Sequence, residues 1–359
     1  MAEPAKVRLS FRNKRAVVTG GLGFIGSNLA LRLLELGARV TVVDSEVPGC
    51  GSNRRNLEPA SGEIRLILKD IDEAAGFAET LSRADVIFNL AGEISHTHSM
   101  RFPERDGALN SAAQLRFLHQ CTRSAPGVRI VYAGTRQIYG KPRYLPVDED
   151  HPIDPVDING IHKHCAIQYH LTYSRLGLLD AVVLNLTNTY GPRMALDEPC
   201  QGFLATYIRR LSFGRPLEVF GDGLQLRDPL YVDDAVEGFL LAGAAAKPPS
   251  RVYNVGGCAA LQLREIAEIA SKQAGGPAPG MRPFPAERKA IDIGSYYTDW
   301  SRIGRELGWR PATPFAEGIG RTLSYYEREL PRYLDLSNPD PCCGLIEREP
   351  AALARYATR

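Results

Sequence analysis

The segment Thr19-Gly20-Gly21-Leu22-Gly23-Phe24-Ile25-Gly26 follows the apolar run Ala16-Val17-Val18. Glycines at 20, 23 and 26 suit a tight turn, close backbone approach to a ligand and close helix packing. The helix that follows, read from Ser27, would offer its amino terminus to a phosphate, with Phe24 and Ile25 expected at the cofactor in the turn before it. Asp44 ends the next apolar run, Val40-Thr41-Val42-Val43, eighteen positions beyond Gly26. A carboxylate there can accept both hydroxyls of a ribose and would repel a 2′-phosphate. Read with the glycines, it predicts a dinucleotide site that takes NAD rather than NADP. As an isolated residue, Asp44 could equally be a turn residue at a strand end.

A second group carries reactive side chains. Asn159-Gly160-Ile161-His162-Lys163 lies downstream of Tyr132-Ala133-Gly134-Thr135. On a helix, residues 159 and 163 share a face, and His162 points about a quarter turn away. An amide at 159 neither takes up nor releases a proton near neutral pH. Any proton carrier at this site would be another residue. The segment Leu90-Ala91-Gly92-Glu93-Ile94-Ser95-His96-Thr97-His98 follows an apolar run, at the end of a strand where ligands of parallel sheets bind. Glu93, His96 and His98 are candidates there, and His162 is another by its intrinsic pKa. A structural histidine or a loop-capping serine is the plain alternative for this segment.

The elements that must position these groups are legible as alternating patterns. Ala16–Val18, Val40–Val43, Val86–Leu90, Val128–Tyr132 and Ala181–Leu184 are short apolar, β-branched runs. Helical patterns at Ser27–Leu36, Ser111–Thr122 and Ile161–Leu176 separate them. Continuous apolar strands between helices indicate a parallel sheet covered on both faces. The fold class is α/β, a Rossmann-type doubly wound sheet over residues 1–180. Residues 181–330 predict a smaller substrate domain interleaved with the sheet, with helices at Phe203–Phe213 and Asp234–Ala246 and a strand at Arg251–Val255. Residues 331–359 read as a tail.

These motifs as a set resemble the extended short-chain dehydrogenase/reductase family. More narrowly, the chain resembles nucleotide-sugar epimerases and dehydratases, UDP-glucose 4-epimerase and UDP-glucuronate decarboxylase among them, from about Arg15 to Arg328. The resemblance implies that Leu90, Ala91, Asp70 and Ile71 contact the cofactor, with Asp70 at adenine. It implies that Lys163 binds the nicotinamide ribose and that Thr135 meets the reacting hydroxyl. Asn159 stands where the family carries its catalytic tyrosine. Asn188 and Arg193, in Asn188-Thr189-Tyr190-Gly191-Pro192-Arg193, match a sugar-diphosphate segment. Arg227 matches the arginine that pairs with phosphate, and Asp292 and Lys289 fall in the C-terminal pattern beside it. Arg136 and Gln137 replace acidic residues of the 4,6-dehydratases, and Gln137 also replaces a glutamate of the decarboxylases. The implied activity is an NAD-dependent nucleotide-sugar epimerisation, at C4 through a transient keto-sugar, with a non-standard proton carrier. Dehydratase, decarboxylase, oxidoreductase or a retired binding protein are the alternatives. The family resemblance also implies a homodimer joined through helices near 111–122 and 161–176.

Composition narrows the field. The chain has 359 residues, 44% hydrophobic and 23% charged, as in ordinary globular proteins. Its net charge of +2 argues for neither nucleic acid nor an anionic membrane as partner. No apolar run approaches a membrane span, and Met1–Arg15 lacks a signal-peptide core. Seven unpatterned cysteines suggest reduced thiols in a cytoplasmic protein, with Cys342-Cys343 an incidental pair rather than a metal or redox site. No metal is expected.

Overall fold

The computed structural model describes residues 10–196, 202–284, 289 and 291–334. Its centre is a seven-stranded parallel sheet. The strands are β1 (Arg15–Thr19), β2 (Arg39–Asp44), β3 (Arg65–Leu68), β4 (Val86–Asn89), β5 (Arg129–Thr135), β6 (Asp180–Leu186) and β7 (Val252–Val255). They lie in the order β7-β6-β5-β4-β1-β2-β3. The order reverses between β1 and β4, whose registers pair Val18 with Phe88 and Thr19 with Asn89. A crevice opens at such a switch point, beyond the carboxyl ends of the strands.

Alternation within each strand feeds two cores. Val18, Phe88, Val131 and Val182 face one side, with Leu29 and Leu33 of α1 (Phe24–Glu35) and Phe239 and Leu240 of a later helix (Val232–Ala244). Val17, Ile87 and Ile130 face the other, against Phe117 and Leu118 of α2 (Ala113–Ser124). Side chains of successive strand residues point to opposite faces, so neighbours in sequence enter different cores. Strand β3, at the edge, leaves Leu66 and Leu68 exposed.

Helix α3 (Ile158–Arg175) carries the reactive face. Its amino terminus is capped by Asp157, whose Oδ1 accepts a hydrogen bond from Gly160 N at 2.7 Å. The remaining elements build the other wall of the crevice. Thr189–Tyr190 pairs with Leu230–Tyr231, and Leu226–Arg227 with Leu261–Gln262. These short pairings hold Asn188 and Arg227 against the sheet's open edge. Asp234 accepts from Thr313 N at 2.9 Å and ties the C-terminal segment to its helix, Val232–Ala244. Cys200, Cys342 and Cys343 lie outside the described residues. Among those residues, no helix is long and apolar enough to cross a membrane.

Candidate active site

A cavity of about 510 Å³ lies at the carboxyl edge of the sheet. Gly20, Gly23, Phe24, Ile25 and Gly26 line its floor. Gly20 has φ +67, and a Cβ there would lie 2.8 Å from the Leu90 carbonyl. Only glycine allows the β1 and β4 loops to approach this closely. A Cβ on Gly26 would collide with the carbonyl of Gly20. The bare cradle at the start of α1 is the shape a pyrophosphate requires.

Asp44 lines the same cavity and is held in place by three donors. Leu22 N reaches Oδ2 at 3.0 Å, while Glu46 N and Ser52 Oγ reach Oδ1 at 2.9 and 2.8 Å. Burial pushes its pKa up and these bonds oppose the shift. Asp70, Ile71, Leu90 and Ala91 complete this end of the cavity. The cradle and an oriented carboxylate fit NAD. They are hostile to a 2′-phosphate.

Thr135, Asn159 and Lys163 meet at the other end. Asn159 is 2% exposed, and its amide is already committed. Nδ2 donates to the carbonyl of Glu93 at 3.0 Å and to Asp106 Oδ2 at 2.9 Å. The residue is a brace between α3 and the loop after β4. Lys163 faces the cavity, 5.4 Å above the Tyr132 ring. Burial lowers its pKa to about 8, against the opposing pull of Asp106 and Glu93.

Several candidates suggested by residue type are corrected by their surroundings. Glu93 does not line the cavity and is buried at 2% exposure. Its Oε2 lies 3.3 Å from Arg105 and accepts from Cys50 Sγ at 3.4 Å. Burial works against its charge, but His98 and Arg105 outweigh burial and hold its carboxyl below the ordinary value. A carboxylate held ionised in this way is a poor proton carrier. His98 is occupied with the same cluster. His162 also stays out of the cavity, with Nδ1 2.7 Å from Asp106 Oδ1. Arg193, at φ +70, turns to Asn28 Oδ1 at 2.8 Å rather than to the cavity. Lys289 is exposed and does not line it.

His96 is the candidate that remains. It lines the cavity beside Thr135 and Gln137. Nδ1 lies 2.9 Å from Asp157 Oδ2 but off the line of a hydrogen bond, and Nε2 lies 2.6 Å from Gln137 Nε2. With the Gln137 amide nitrogen taken as donor, Nε2 is the acceptor and the neutral ring carries its proton on Nδ1, the side that faces Asp157. That is the tautomer of a general base. Burial works against the charge of Asp157, but His96 and the Gly160 N–H outweigh it and keep its pKa low. One carboxylate therefore caps α3 and lies against His96. Sequence reasoning missed Asp157, although an Asp three residues before Gly160 carries a capping signal.

At the far wall, Asn188 Oδ1 is buried with no hydrogen-bond partner. Arg227 Nη1 donates to the carbonyls of Leu226 and Gly294 at 2.7 and 2.5 Å. Asp292 accepts from Gln225 Nε2 at 2.7 Å and lies 3.8 Å from Arg227. Burial, with the nearby Arg136, lowers the pKa of Arg227 to about 10.

The α3 face can be tested at two residues. Asn159→Ala strips a donor from Asp106 and from the Glu93 carbonyl and should destabilise the fold by about 1–3 kcal/mol, read as a shifted urea midpoint. An unchanged midpoint would show that Asn159 is not a brace. Lys163 is the second case. Its folded pKa lies below its unfolded value of 10.5, so the unfolded chain binds more protons between about pH 8 and 10.5. Its burial therefore destabilises the ligand-free protein most below pH 8, and the penalty fades as pH rises. Lys163→Met should be the more stable protein at pH 7, by at most about 3 kcal/mol, and lose that advantage towards pH 10. A difference between the two proteins that stays constant with pH would contradict this.

Comparison with known proteins agrees with this geometry. Residues 16–256 match the model of the NAD dependent epimerase/dehydratase family. The chain is 32% identical over 318 residues to a UDP-glucose 4-epimerase of Mycolicibacterium smegmatis, covering 88% of this chain and 99% of that protein. A UDP-glucose 4-epimerase from Thermotoga maritima, solved with UDP-glucose, superposes with a TM-score of 0.79 at 27% identity, covering 88% and 99% of the two chains. A dTDP-glucose 4,6-dehydratase from Streptomyces venezuelae, solved with NAD, superposes with a TM-score of 0.77 at 28% identity, covering 88% and 98%. The glycine cradle, the oriented Asp44, the Thr135–Lys163 face and this match lead to one conclusion: the chain belongs to the NAD dependent epimerase/dehydratase family of extended short-chain dehydrogenases/reductases.

Proposed function

We propose that this chain is an NAD-dependent nucleotide-sugar epimerase acting at C4 through a transient keto-sugar, with His96 as its proton carrier. The observation that carries the reading is the His96–Asp157 pair in the cavity wall beside Thr135 and Lys163. NAD, when bound, supplies the acceptor and later the donor of hydride. Gly20, Gly23 and Gly26 would hold its pyrophosphate, Asp44 its adenosine ribose and Lys163 its nicotinamide ribose.

The residues of the chain handle the sugar and its proton. Thr135 Oγ1 hydrogen-bonds the C4 oxygen and orients it. His96 Nε2 takes the proton from that hydroxyl as the C4–H hydride leaves, and the C4–O bond becomes a carbonyl. Asp157 holds the ring and stabilises the imidazolium. Hydride return to the opposite face of the keto-sugar, with the proton handed back from His96, inverts C4. Gln137, now on Nε2, gives way to the substrate hydroxyl. Neither Arg136 nor Gln137 can serve as a carboxylic acid, which disfavours loss of water or carbon dioxide.

One observation supports a second reading of the proton carrier. Burial lowers Lys163 to about 8, so that it can itself exchange protons near neutral pH. Replacing the histidine separates the two. His96→Asn should lower kcat by about 10²–10⁴-fold with a product of unchanged mass and NAD retained. A variant with unaltered kcat and a surviving limb near pH 8 would move the role to Lys163.

A homodimer is part of the same reading. Leu115 on α2 and Ile161 on α3 are exposed apolar side chains on the two helices concerned. Native mass spectrometry of the purified protein should find twice the chain mass of 39.4 kDa with one NAD per subunit. A monomer would remove the dimer, and a protein that never retains NAD would remove the closed redox cycle.

A further inference from the structure

Arg136 presents the cavity with a charge that the chain itself leaves unanswered. The residue is 7% exposed and lines the cavity next to Thr135. Its guanidinium lies 4.9 Å above the centroid of the Tyr296 ring. Nη1 is buried with no hydrogen-bond partner. Among the described residues, no carboxylate forms an ion pair with it.

Carboxylates do surround it at longer range, with Asp157 on the His96 side and Asp228 and Asp292 on the Arg227 side. Each is already engaged. Asp157 serves Gly160 N and His96. Asp228 accepts from Thr187 Oγ1 at 2.7 Å and Thr298 N at 3.0 Å. Asp292 serves Gln225 and Arg227. A guanidinium buried with an unmet donor is costly, and an anionic ligand group would offset that cost.

Arg227 does not share this condition, because two carbonyls pin it at the opposite wall. With Asn188 it forms the wall that the proposed function assigns to the diphosphate. Arg136 lies between that wall and the Thr135–His96 end, where the proposed mechanism puts the sugar ring. A neutral hexose would leave its fork bare. A carboxylate matches a guanidinium fork through two parallel hydrogen bonds.

We propose that Arg136 recognises a carboxylate on the sugar, so that the chain selects a nucleotide-linked uronic acid over the neutral hexose. The proposal rests on the nucleotide-sugar reading above.

Calorimetry on the full-length, NAD-loaded protein tests both levels. Titration with UDP, dTDP, CDP, GDP and ADP first identifies the nucleoside diphosphate. The glucose and glucuronate conjugates of that nucleotide are then compared. The glucuronate conjugate should bind wild-type protein at least about tenfold more tightly. Arg136→Met should erase that preference and leave the affinity for the free nucleoside diphosphate unchanged. Arg136→Lys keeps the charge without the fork and should retain part of the preference.

Equal binding of the two conjugates by wild type would overturn the carboxylate assignment, whether or not the Met variant folds. So would an Arg136→Met protein that loses free nucleoside diphosphate as strongly as the glucuronate conjugate, since that places Arg136 on the phosphates. Failure of all five diphosphates to bind would overturn the nucleotide-sugar reading itself.

Discussion

Asp106 is buried at 1% exposure and accepts hydrogen bonds from three side chains. Asn159 and Asn110 donate to Oδ2, and His162 contacts Oδ1. A buried carboxylate must have its lone pairs met, and this one is met by the reactive helix itself. Its demand sets the orientation of α3. It binds the amide that stands in the place of a proton carrier, and it draws His162 away from the cavity. It also supports the charge of Lys163, which burial weakens. The chemistry available at this end of the cavity follows from that one group.

With Asn159 and His162 engaged, the proposed proton transfer falls to the loop after β4. The loop divides its candidates. Glu93 and His98 enter a cluster with Arg105 and Cys50, of which Cys50 lines the cavity. His96 starts the short helix His96–Arg101 and emerges on the cavity side, against Asp157. The cap of α3 thus has two functions, because one oxygen satisfies the helix and the other meets the histidine. In the proposed mechanism the proton carrier moves from helix to loop while its place near Thr135 is kept.

The cavity then holds two arginines in different states. Arg227 is pinned by carbonyls, as a fixed wall must be. Arg136 has an unmet donor in a buried setting. Its neighbour Gln137 is neutral, so neither side chain of the pair is a carboxylic acid.

Much was legible from residue types and spacing. The sheet, its helices and the cofactor cradle rest on local rules: alternation, helical period and glycines at close contacts. Asp44, Asp70, Lys163, Asn188 and Arg227 all line the cavity as expected. Arg193 and Lys289 do not, because a φ of +70 turns the first onto Asn28 and the second stays exposed. Among Glu93, His96, His98 and His162 the sequence offered types without a choice. Side-chain direction and burial made it, through partners as distant as Asp106, Arg105 and Asp157. The sequence by itself determined the fold class and the cofactor end, where short-range geometry is encoded in contiguous residues. Only the tertiary structure decided which groups face the cavity uncommitted, because a hydrogen bond between elements far apart in the chain leaves no local signal.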